Sequence, residues 1–181
     1  MQRIPECRIG SLESPANIVL VGFMGTGKTT VGSLLAKTLG LTLVDMDKII
    51  EQRAGKAISA IFAEQGEPHF RGLERALARE LSARHGLVIA TGGGIVLNPD
   101  NIRDFSASGL VVCLRATPEV IYRRTAKTTH RPLLEQDDKF TRIVTLLEKR
   151  RALYDAVPHQ IDTSTRDPQS IADEIIRLYS R

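Results

Sequence analysis

The residues with the most specific chemistry form a glycine-rich run near the amino terminus. Residues 22–29 read Gly-Phe-Met-Gly-Thr-Gly-Lys-Thr, which fits the pattern G-x-x-x-x-G-K-[S/T]. In this pattern glycines let backbone N–H groups close around phosphate oxygens, Lys28 can reach the β and γ phosphates, and the Thr29 hydroxyl can coordinate Mg²⁺. An exposed lysine in an ordinary turn is the alternative, and the full match between a strand and a helix argues against it. The run predicts a nucleotide site without identifying the reaction.

Two carboxylates follow the second predicted strand as Asp45-Met-Asp47. At the alternation of a strand both would face the same side, at the sheet edge where open α/β folds bind their ligands. One could hold Mg²⁺ through water while the other accepts a proton from a substrate hydroxyl. Capping of the next helix is an equally good interpretation, because aspartate is favoured at that position.

Three successive glycines follow the third predicted strand at the same edge. They are Gly92, Gly93 and Gly94, preceded by Thr91. Many enzymes with a phosphate loop carry an acidic metal-binding residue near this point, so we assign the water-mediated metal contact to Asp45 instead. Glycines let the backbone approach a ligand closely, although a loose turn would have the same composition.

Two arginines lie on or beside apolar helix faces. Arg150 shares a helical stripe with Ile143, Leu147 and Tyr154, which places it at a slot that faces the core. Arg71 lies beside the apolar stripe of an earlier helix. Two guanidinium groups that face one cleft would suit a carboxylate, because their fork geometry matches two oxygens. A snorkelling side chain at Arg150 and an ordinary surface charge at Arg71 are the alternatives.

A polar segment at 128–138 lacks periodicity and contains Arg131 followed by Pro132. We interpret it as part of a mobile lid at about 125–138. An arginine that swings over a nucleotide can neutralise charge that develops on the transferring phosphoryl group. Solvent exposure is the simpler interpretation of Arg131 taken by itself.

Composition excludes several other classes of protein. No apolar run reaches the roughly 20 residues of a membrane span, and the first fifteen residues lack the apolar core of a secretory signal. Cys7 and Cys113 are too few for a disulfide framework, which predicts a reducing compartment. We therefore expect a cytoplasmic protein.

The net charge of +4 does not indicate nucleic acid as a partner. The basic residues are dispersed, and stacking aromatics do not accompany them. A small anionic ligand explains a mild positive excess equally well.

Hydrophobic periodicity alternates between strand and helix along the chain. The predicted strands lie at 17–21, 41–44, 87–91, 110–114 and 159–162. The predicted helical segments lie at 28–39, 47–65, 70–84 after Pro68, 118–127, 139–154 and 168–179. Five short strands separated by helices predict a three-layer α/β fold, with a parallel sheet between helices on both faces. We expect one domain at 17–181 and an amino-terminal extension of unknown role at 1–16.

Together these motifs resemble shikimate kinase. The resemblance rests on the phosphate loop and on an ordered set of short motifs that spans nearly the whole chain: Asp45-Met-Asp47, Phe70-Arg71 with Glu74, Thr-Gly-Gly-Gly at 91–94, Arg131-Pro-Leu-Leu134, and Arg150-Arg-Ala-Leu-Tyr154. It implies the fold of nucleoside monophosphate kinases, with strand order 2-3-1-4-5. It also implies transfer of the γ-phosphoryl group of ATP to the 3-hydroxyl of shikimate, a step of chorismate and aromatic amino-acid biosynthesis.

The resemblance also implies roles for individual residues. Shikimate would contact Asp47, Arg71, Gly93 and Arg150, with both arginines on its carboxylate and Asp47 on the reacting hydroxyl. ATP would contact Gly25, Thr26, Gly27, Lys28, Thr29, Thr30, Arg124, Arg131 and Arg166. Catalysis would depend on Asp47, Lys28 and Arg131. Mg²⁺ would be held directly by Thr29 and through water by Asp45.

Two other functions compete with this interpretation. Another small-molecule kinase of the same fold, such as a gluconate kinase, also phosphorylates a polyhydroxylated carboxylate. A catalytically silent nucleotide-binding protein is the second alternative, and the intact Lys28, Thr29, Asp45 and Asp47 argue against it. We expect a monomer that binds ATP and shikimate and that contacts neither nucleic acid nor membrane.

Overall fold

The chain alternates between short strands and helices, as the periodicity predicts. The computed structural model describes residues 16–126 and 138–180. The strands are β1 Asn17–Val21, β2 Thr42–Asp45, β3 Leu87–Ala90, β4 Gly109–Arg115 and β5 His159–Asp162. They pair in parallel in the order β2-β3-β1-β4-β5. This order confirms the predicted sheet.

Seven α-helices and one short 3₁₀ helix in the described residues cover the sheet. The α-helices are α1 Lys28–Leu39, α2 Met46–Ala54, α3 Ile58–Ser82, α4 Pro99–Ser108, α5 Pro118–Thr125, α6 Lys139–Asp155 and α7 Pro168–Tyr179. The 3₁₀ helix is Ile95–Leu97. Helix α3 is interrupted at Gly66, where φ is 80° and ψ is 168°, so a new helical run starts near Pro68. The sequence predicts this second start from Pro68.

Both faces of the sheet are buried, which explains the continuous apolar runs of the strands. In β1, Val19 and Val21 point into a core beneath α3, α4 and α6, whereas Ile18 and Leu20 point into a second core beneath α1 and α7. The other central strands β3 and β4 alternate in the same way. The fold therefore has the three layers that the sequence predicts.

The segment between β3 and β4 corrects the sequence analysis, which places no element there. The structure forms the 3₁₀ helix and α4 in this segment. The signals for α4 are present in the sequence: the Asn98 side chain accepts from the N–H of Asp100, Pro99 occupies the first helical position, and Gly109 follows the last turn.

The premise that Asp45 and Asp47 lie on one face of a strand is also wrong. Asp45 ends β2 and caps α2, whereas Asp47 lies in the first turn of that helix. The alternation of a strand therefore does not relate the two side chains, and each one points to a different partner.

The motifs of interest follow the ends of three neighbouring strands. The phosphate loop (residues 22–29) follows β1, the triple-glycine turn (residues 92–94) comes just after β3, and Asp45 ends β2. Because these strands are parallel and adjacent, their carboxyl ends meet at one edge of the sheet. No helix in residues 16–126 and 138–180 combines the length and apolar content that a membrane span requires.

Candidate active site

The phosphate loop is held in a tight conformation by its own backbone and side chains. Gly22 has a φ of 135°, and a Cβ at this position would collide with the carbonyl oxygen of Leu114. The Thr26 hydroxyl donates to the carbonyl of Phe23 at 2.8 Å. Lys28 Nζ donates to the carbonyls of Gly22 and Phe23 at 2.7 and 2.9 Å. The ammonium group thus lies against the loop that is predicted to hold phosphate.

The remaining predicted ATP contacts run from this loop into the first turn of α1. Gly25, Thr26 and Gly27 belong to the loop, and α1 begins at Lys28 and continues through Thr29 and Thr30. The first turn of α1 contains no acidic residue. No side chain at the Gly27 cap or in this turn therefore covers the backbone N–H groups of the helix start, which leaves them available to an anion.

The predicted metal residues are in direct contact. Thr29 Oγ1 donates to Asp45 Oδ2 at 3.0 Å, while Asp45 Oδ1 accepts from the backbone N–H of Lys48 at 3.4 Å. Asp45 therefore caps α2 and also faces the phosphate loop, so the two interpretations of this residue are compatible. A hydroxyl beside a carboxylate fits Mg²⁺, which prefers oxygen ligands and is usually completed by substrate phosphates. The described residues contain no group of three or more acidic, His or Cys side chains that could hold a metal by themselves.

Asp47 points towards the triple-glycine turn, where it meets Glu74 of α3. A Cβ on Gly92 would lie 2.9 Å from Asp47 Oδ1 and 2.7 Å from Glu74 Oε1. The two carboxylates therefore converge on a space that exists because residue 92 has no side chain. Burial raises the pKa of Glu74, Arg71 opposes this rise, and the nearby charge of Asp47 adds to it.

Arg71 is anchored by two acidic side chains of its own helix. Its Nη1 pairs with Glu74 Oε2 at 2.8 Å, and its Nη2 pairs with Glu67 Oε1 at 2.8 Å. A Cβ on Gly94 would collide with the guanidinium group of Arg71. Arg71 is thus no ordinary surface charge, because its side chain is only 21% exposed and lies directly on the triple-glycine turn.

Arg150 reaches the same turn from α6. It is 5% exposed, its Nη1 donates to the carbonyl of Gly93 at 3.2 Å, and its guanidinium carbon lies 6.0 Å from the ring centre of Phe23. Tyr154 OH donates to the same carbonyl at 2.6 Å. Arg150 therefore does not snorkel to the surface, and it lies beside the phosphate loop as well as the glycines.

The three glycines give room to three different elements. Gly92 faces the carboxylates of α2 and α3, and Gly94 faces Arg71. A Cβ on Gly93 would lie 3.2 Å from the backbone nitrogen of Met24 in the phosphate loop. The triple-glycine turn is therefore a junction of close contacts and not a loose loop.

The remaining predicted arginines lie elsewhere. Arg124 donates to the carbonyl of Gly25 at 3.3 Å and to the Thr163 carbonyl at 2.7 Å, which places it against the phosphate loop. Arg166 pairs with Glu174 at 2.6 Å and donates to the carbonyl of Ser170, so it is tied to α7. Arg131 and most of the predicted lid lie outside the described residues.

Sequence reasoning assigned no role to Glu74, Tyr154 or Thr163. Thr163 Oγ1 donates to the Thr26 carbonyl at 3.0 Å and so connects the end of β5 to the phosphate loop. Glu74 follows Phe70 by one turn at a buried slot of α3. Glu74 enters the sequence analysis only as part of a motif, although a charged residue at a buried helical slot is the same signal that singles out Arg150.

The fold and this site define the class of protein. A parallel sheet of order 2-3-1-4-5, with a phosphate loop after its central strand, is that of a P-loop kinase of the nucleoside monophosphate kinase type. The family model of shikimate kinase matches residues 24–180. A shikimate kinase from Thermodesulfovibrio yellowstonii is 46% identical over 165 residues, which cover 91% of this chain and 95% of that relative. The chain belongs to the shikimate kinase family.

Solved structures agree with this assignment. A shikimate kinase from Acinetobacter baumannii in complex with shikimate superimposes with a TM-score of 0.87 at 38% identity, over 92% of this chain and 93% of that one. A gluconokinase from Sinorhizobium meliloti 1021 reaches a TM-score of 0.60 at 20% identity, over 92% of this chain and 93% of that one. The second likeness extends to the fold alone. The predicted family is therefore confirmed.

Proposed function

We propose that this enzyme transfers the γ-phosphoryl group of ATP to the 3-hydroxyl of shikimate, which yields shikimate 3-phosphate and ADP within chorismate and aromatic amino-acid biosynthesis. The observation that carries the proposal is the convergence of Arg71, Arg150 and Asp47 on the triple-glycine turn, beside the phosphate loop. This arrangement provides two cations for one carboxylate and a carboxylate for one hydroxyl. Both are positioned next to a site for nucleotide phosphates.

The substrate carboxylate would bind the guanidinium groups of Arg71 and Arg150. Both groups are largely removed from water, which strengthens a charge-assisted hydrogen bond. Arg71 Nη1 donates to Glu74 Oε2 at 2.8 Å, and this bond fixes the orientation of the guanidinium group of Arg71. Gly93 would contribute a backbone contact to the ring hydroxyls.

Asp47 would accept the proton of the 3-hydroxyl as this oxygen attacks the phosphoryl group. Its carboxylate lies against Gly92, in the same triple-glycine turn that Arg71 and Arg150 contact. Lys28 and the N–H groups of residues 25–30 would hold the phosphates and neutralise the charge that spreads over them in the transition state. Phosphoryl transfer needs positioning and charge stabilisation more than covalent catalysis.

Mg²⁺ would be held by the Thr29 hydroxyl and, through water, by Asp45, and it would supply charge neutralisation at the phosphates. Arg124 would pack against the adenine, with Arg166 near it, and Arg131 would reach the phosphates from the lid at 125–138. We infer a single domain at 17–181 that acts as a cytoplasmic monomer. These assignments rest on the resemblance, and the contact of Thr29 with Asp45 supports the one for the metal.

The test is a coupled assay with ATP and Mg²⁺ on shikimate, gluconate and nucleoside monophosphates. We expect turnover of shikimate in strong preference to the other acceptors. Preferred turnover of gluconate, or no turnover of any acceptor, would contradict the proposal.

Arg71 and Arg75 provide a matched pair for the carboxylate site. They lie one turn apart on α3 and have 21% and 23% exposed side chains, but Arg75 pairs with Asp104 of α4 at 2.7 Å. Arg71→Met should raise the KM for shikimate about thirtyfold, the equivalent of about 2 kcal/mol. Arg75→Met should lower the melting temperature and leave that KM unchanged. Equal KM values in the two variants would exclude Arg71 from the substrate site.

A further inference from the structure

The carbonyl of Gly93 accepts hydrogen bonds from two side chains of α6. Tyr154 OH lies 2.6 Å from this oxygen, whereas Arg150 Nη1 lies 3.2 Å from it. Both donors are 5% exposed. The phenol makes the shorter of the two bonds and directs its single O–H at this carbonyl, so it can hold the carbonyl whether or not Arg150 does.

The peptide unit between Gly93 and Gly94 lies at the centre of the proposed site. A Cβ on Gly93 would lie 3.2 Å from the backbone nitrogen of Met24, and a Cβ on Gly94 would collide with the guanidinium group of Arg71. The Gly93 carbonyl and the Gly94 N–H belong to one planar unit, so a donor that fixes the first also fixes the direction of the second. A donor on the carbonyl also polarises the amide and strengthens its N–H as a donor.

We propose that Tyr154 is a positioning residue of the phosphoryl transfer, which holds the Gly93–Gly94 peptide so that its N–H and the neighbouring Arg150 face the substrate and the phosphate loop together. This inference rests on the proposed function and adds a residue to it. The phenol remains a donor throughout any practical assay, because burial raises the pKa of Tyr154 to about 12.

The two donors of α6, Tyr154 and Arg150, have different tasks at the Gly93 carbonyl. Arg150 must direct part of its guanidinium group towards the substrate carboxylate. With Tyr154 on the carbonyl, the turn keeps its orientation whichever way Arg150 points. Without the phenol, the carbonyl would depend on Arg150, so the substrate and the turn would compete for one side chain.

The experiment compares Tyr154→Phe with Tyr179→Phe. Tyr179 is a matched control, because its OH donates to the carbonyl of Ala16 at 2.7 Å, at the end of α7 and away from the triple-glycine turn. Each substitution removes one phenol-to-carbonyl bond and retains the ring. Tyr154→Phe should lose more melting temperature than Tyr179→Phe, because the bond of Tyr179 is exposed to solvent and that of Tyr154 is largely buried.

In Tyr154→Phe we expect kcat on shikimate to fall about tenfold and the KM for shikimate to rise several-fold, since the scale of one lost hydrogen bond to a buried acceptor is about tenfold. The KM for ATP should not change, and Tyr179→Phe should match the wild type in all three constants. Wild-type kinetics in Tyr154→Phe would overturn the inference. Inactivity of the wild type on shikimate would instead overturn the proposed function, so the two failures are distinguishable.

Two further measurements separate positioning from loss of structure. Incorporation of 4-aminophenylalanine at position 154 supplies an N–H donor at the same place and should restore kcat, even if Tyr154→Phe folds poorly. A double-mutant cycle of Tyr154→Phe with Arg150→Lys should be non-additive in the KM for shikimate, because both side chains donate to one oxygen. Absence of rescue, or additive effects, would refute the positioning role.

Discussion

Glu74 and Arg150 are charged side chains that the described part of the fold buries, at 1% and 5% exposure. A buried charge is costly unless it is paired and hydrogen-bonded. Glu74 Oε2 pairs with Arg71, but Oε1 has no hydrogen-bond partner among the described residues. The fold therefore retains a partly unsatisfied carboxylate next to Asp47, which is typical of a site whose charges serve a ligand.

The role of Asp47 as the proton acceptor can be tested directly. Asp47→Asn keeps the size of the side chain and removes its basicity. We expect kcat on shikimate to fall by at least ~10², within the usual range for a lost general base. The KM for ATP serves as the internal control and should stay nearly unchanged, because Asp47 lies outside the proposed phosphate contacts of residues 22–29. Turnover near that of the wild type would exclude this role.

Glu74 predicts a pH-dependent contribution to stability. Burial raises the pKa of Glu74 in the folded protein, so at a pH between the unfolded and the folded pKa the folded state holds a proton that the unfolded state has released. The stability from this group is fully present below the unfolded pKa and is lost as the pH rises through the folded pKa. Glu74→Gln removes this titration, so the melting temperature of the variant relative to that of the wild type should increase from pH 4.5 to pH 8.

Thermal melting of both proteins across that range, without ligand, provides the measurement. A difference in melting temperature between the two proteins that does not change with pH would contradict the raised pKa of Glu74. The KM for shikimate of the variant should increase at every pH, since Arg71 loses an anchor that holds it at 2.8 Å.

At the scale of elements, the triple-glycine turn connects parts that are distant in sequence. It lies between β3 and the 3₁₀ helix, and it contacts α2, α3, α6 and the phosphate loop. The contacts with α2, α3 and the phosphate loop leave little or no room for a side chain at these positions. Small residues here are therefore a packing requirement of the site, whereas a glycine in the middle of a helix is a cost.

A matched pair of glycine substitutions tests this difference. In Gly92→Ala the new Cβ would lie 2.7 Å from Glu74 Oε1 and 2.9 Å from Asp47 Oδ1, so both carboxylates must move. We expect kcat to fall at least ~10-fold, the effect of a misplaced base. In Gly72→Ala, within α3, the new methyl meets nothing within 4 Å. That variant should keep its activity and gain about 0.5–1 kcal/mol in the free energy of unfolding.

Kinetics and denaturant unfolding of the two variants decide the question. Full activity of Gly92→Ala would show that the carboxylates do not depend on this open space. A lower free energy of unfolding in Gly72→Ala would contradict the open space that surrounds Gly72 on α3.

At the scale of the whole molecule, helices on two faces make a rigid platform for one edge of the sheet. α1 packs with α7 on one side, and α3 packs with α4 on the other. The strands end together, so the residues that follow them need only short connections to meet. The chemistry therefore lies in turns that a buried sheet positions.

The proposed single domain at 17–181 predicts that residues 1–15 are dispensable. The family model matches residues 24–180, and the first described residue, Ala16, accepts a hydrogen bond from Tyr179 through its carbonyl. A chain that starts at Ala16 after an initiating Met should show the melting temperature and the kcat/KM for shikimate of the full chain. A marked decrease in either would assign a role to the extension.

The sequence by itself determined the layered fold, the phosphate loop and the family. These properties depend on local signals: strands buried on both faces read as apolar runs, and the loop pattern is contiguous at 22–29. The ordered motifs identify the family for the same reason, because each motif is a short contiguous run and their order along the chain is visible in the sequence. The signals for α4 are equally local, because Asn98 caps the helix and Pro99 occupies its first position.

The tertiary structure alone decided which of the candidate residues meet. Sequence spacing suggested that Asp45 and Asp47 share a face, yet the helix start between them sends one to Thr29 and the other to Gly92. The hydrogen bonds from α6 to Gly93 join residues 57 and 61 positions apart. Periodicity reports the environment of a residue along its own element, but such contacts depend on how separate elements pack. For this reason the sequence could place Arg150 at a buried slot, and only the packed fold could show that Tyr154 and Arg150 hold the same carbonyl.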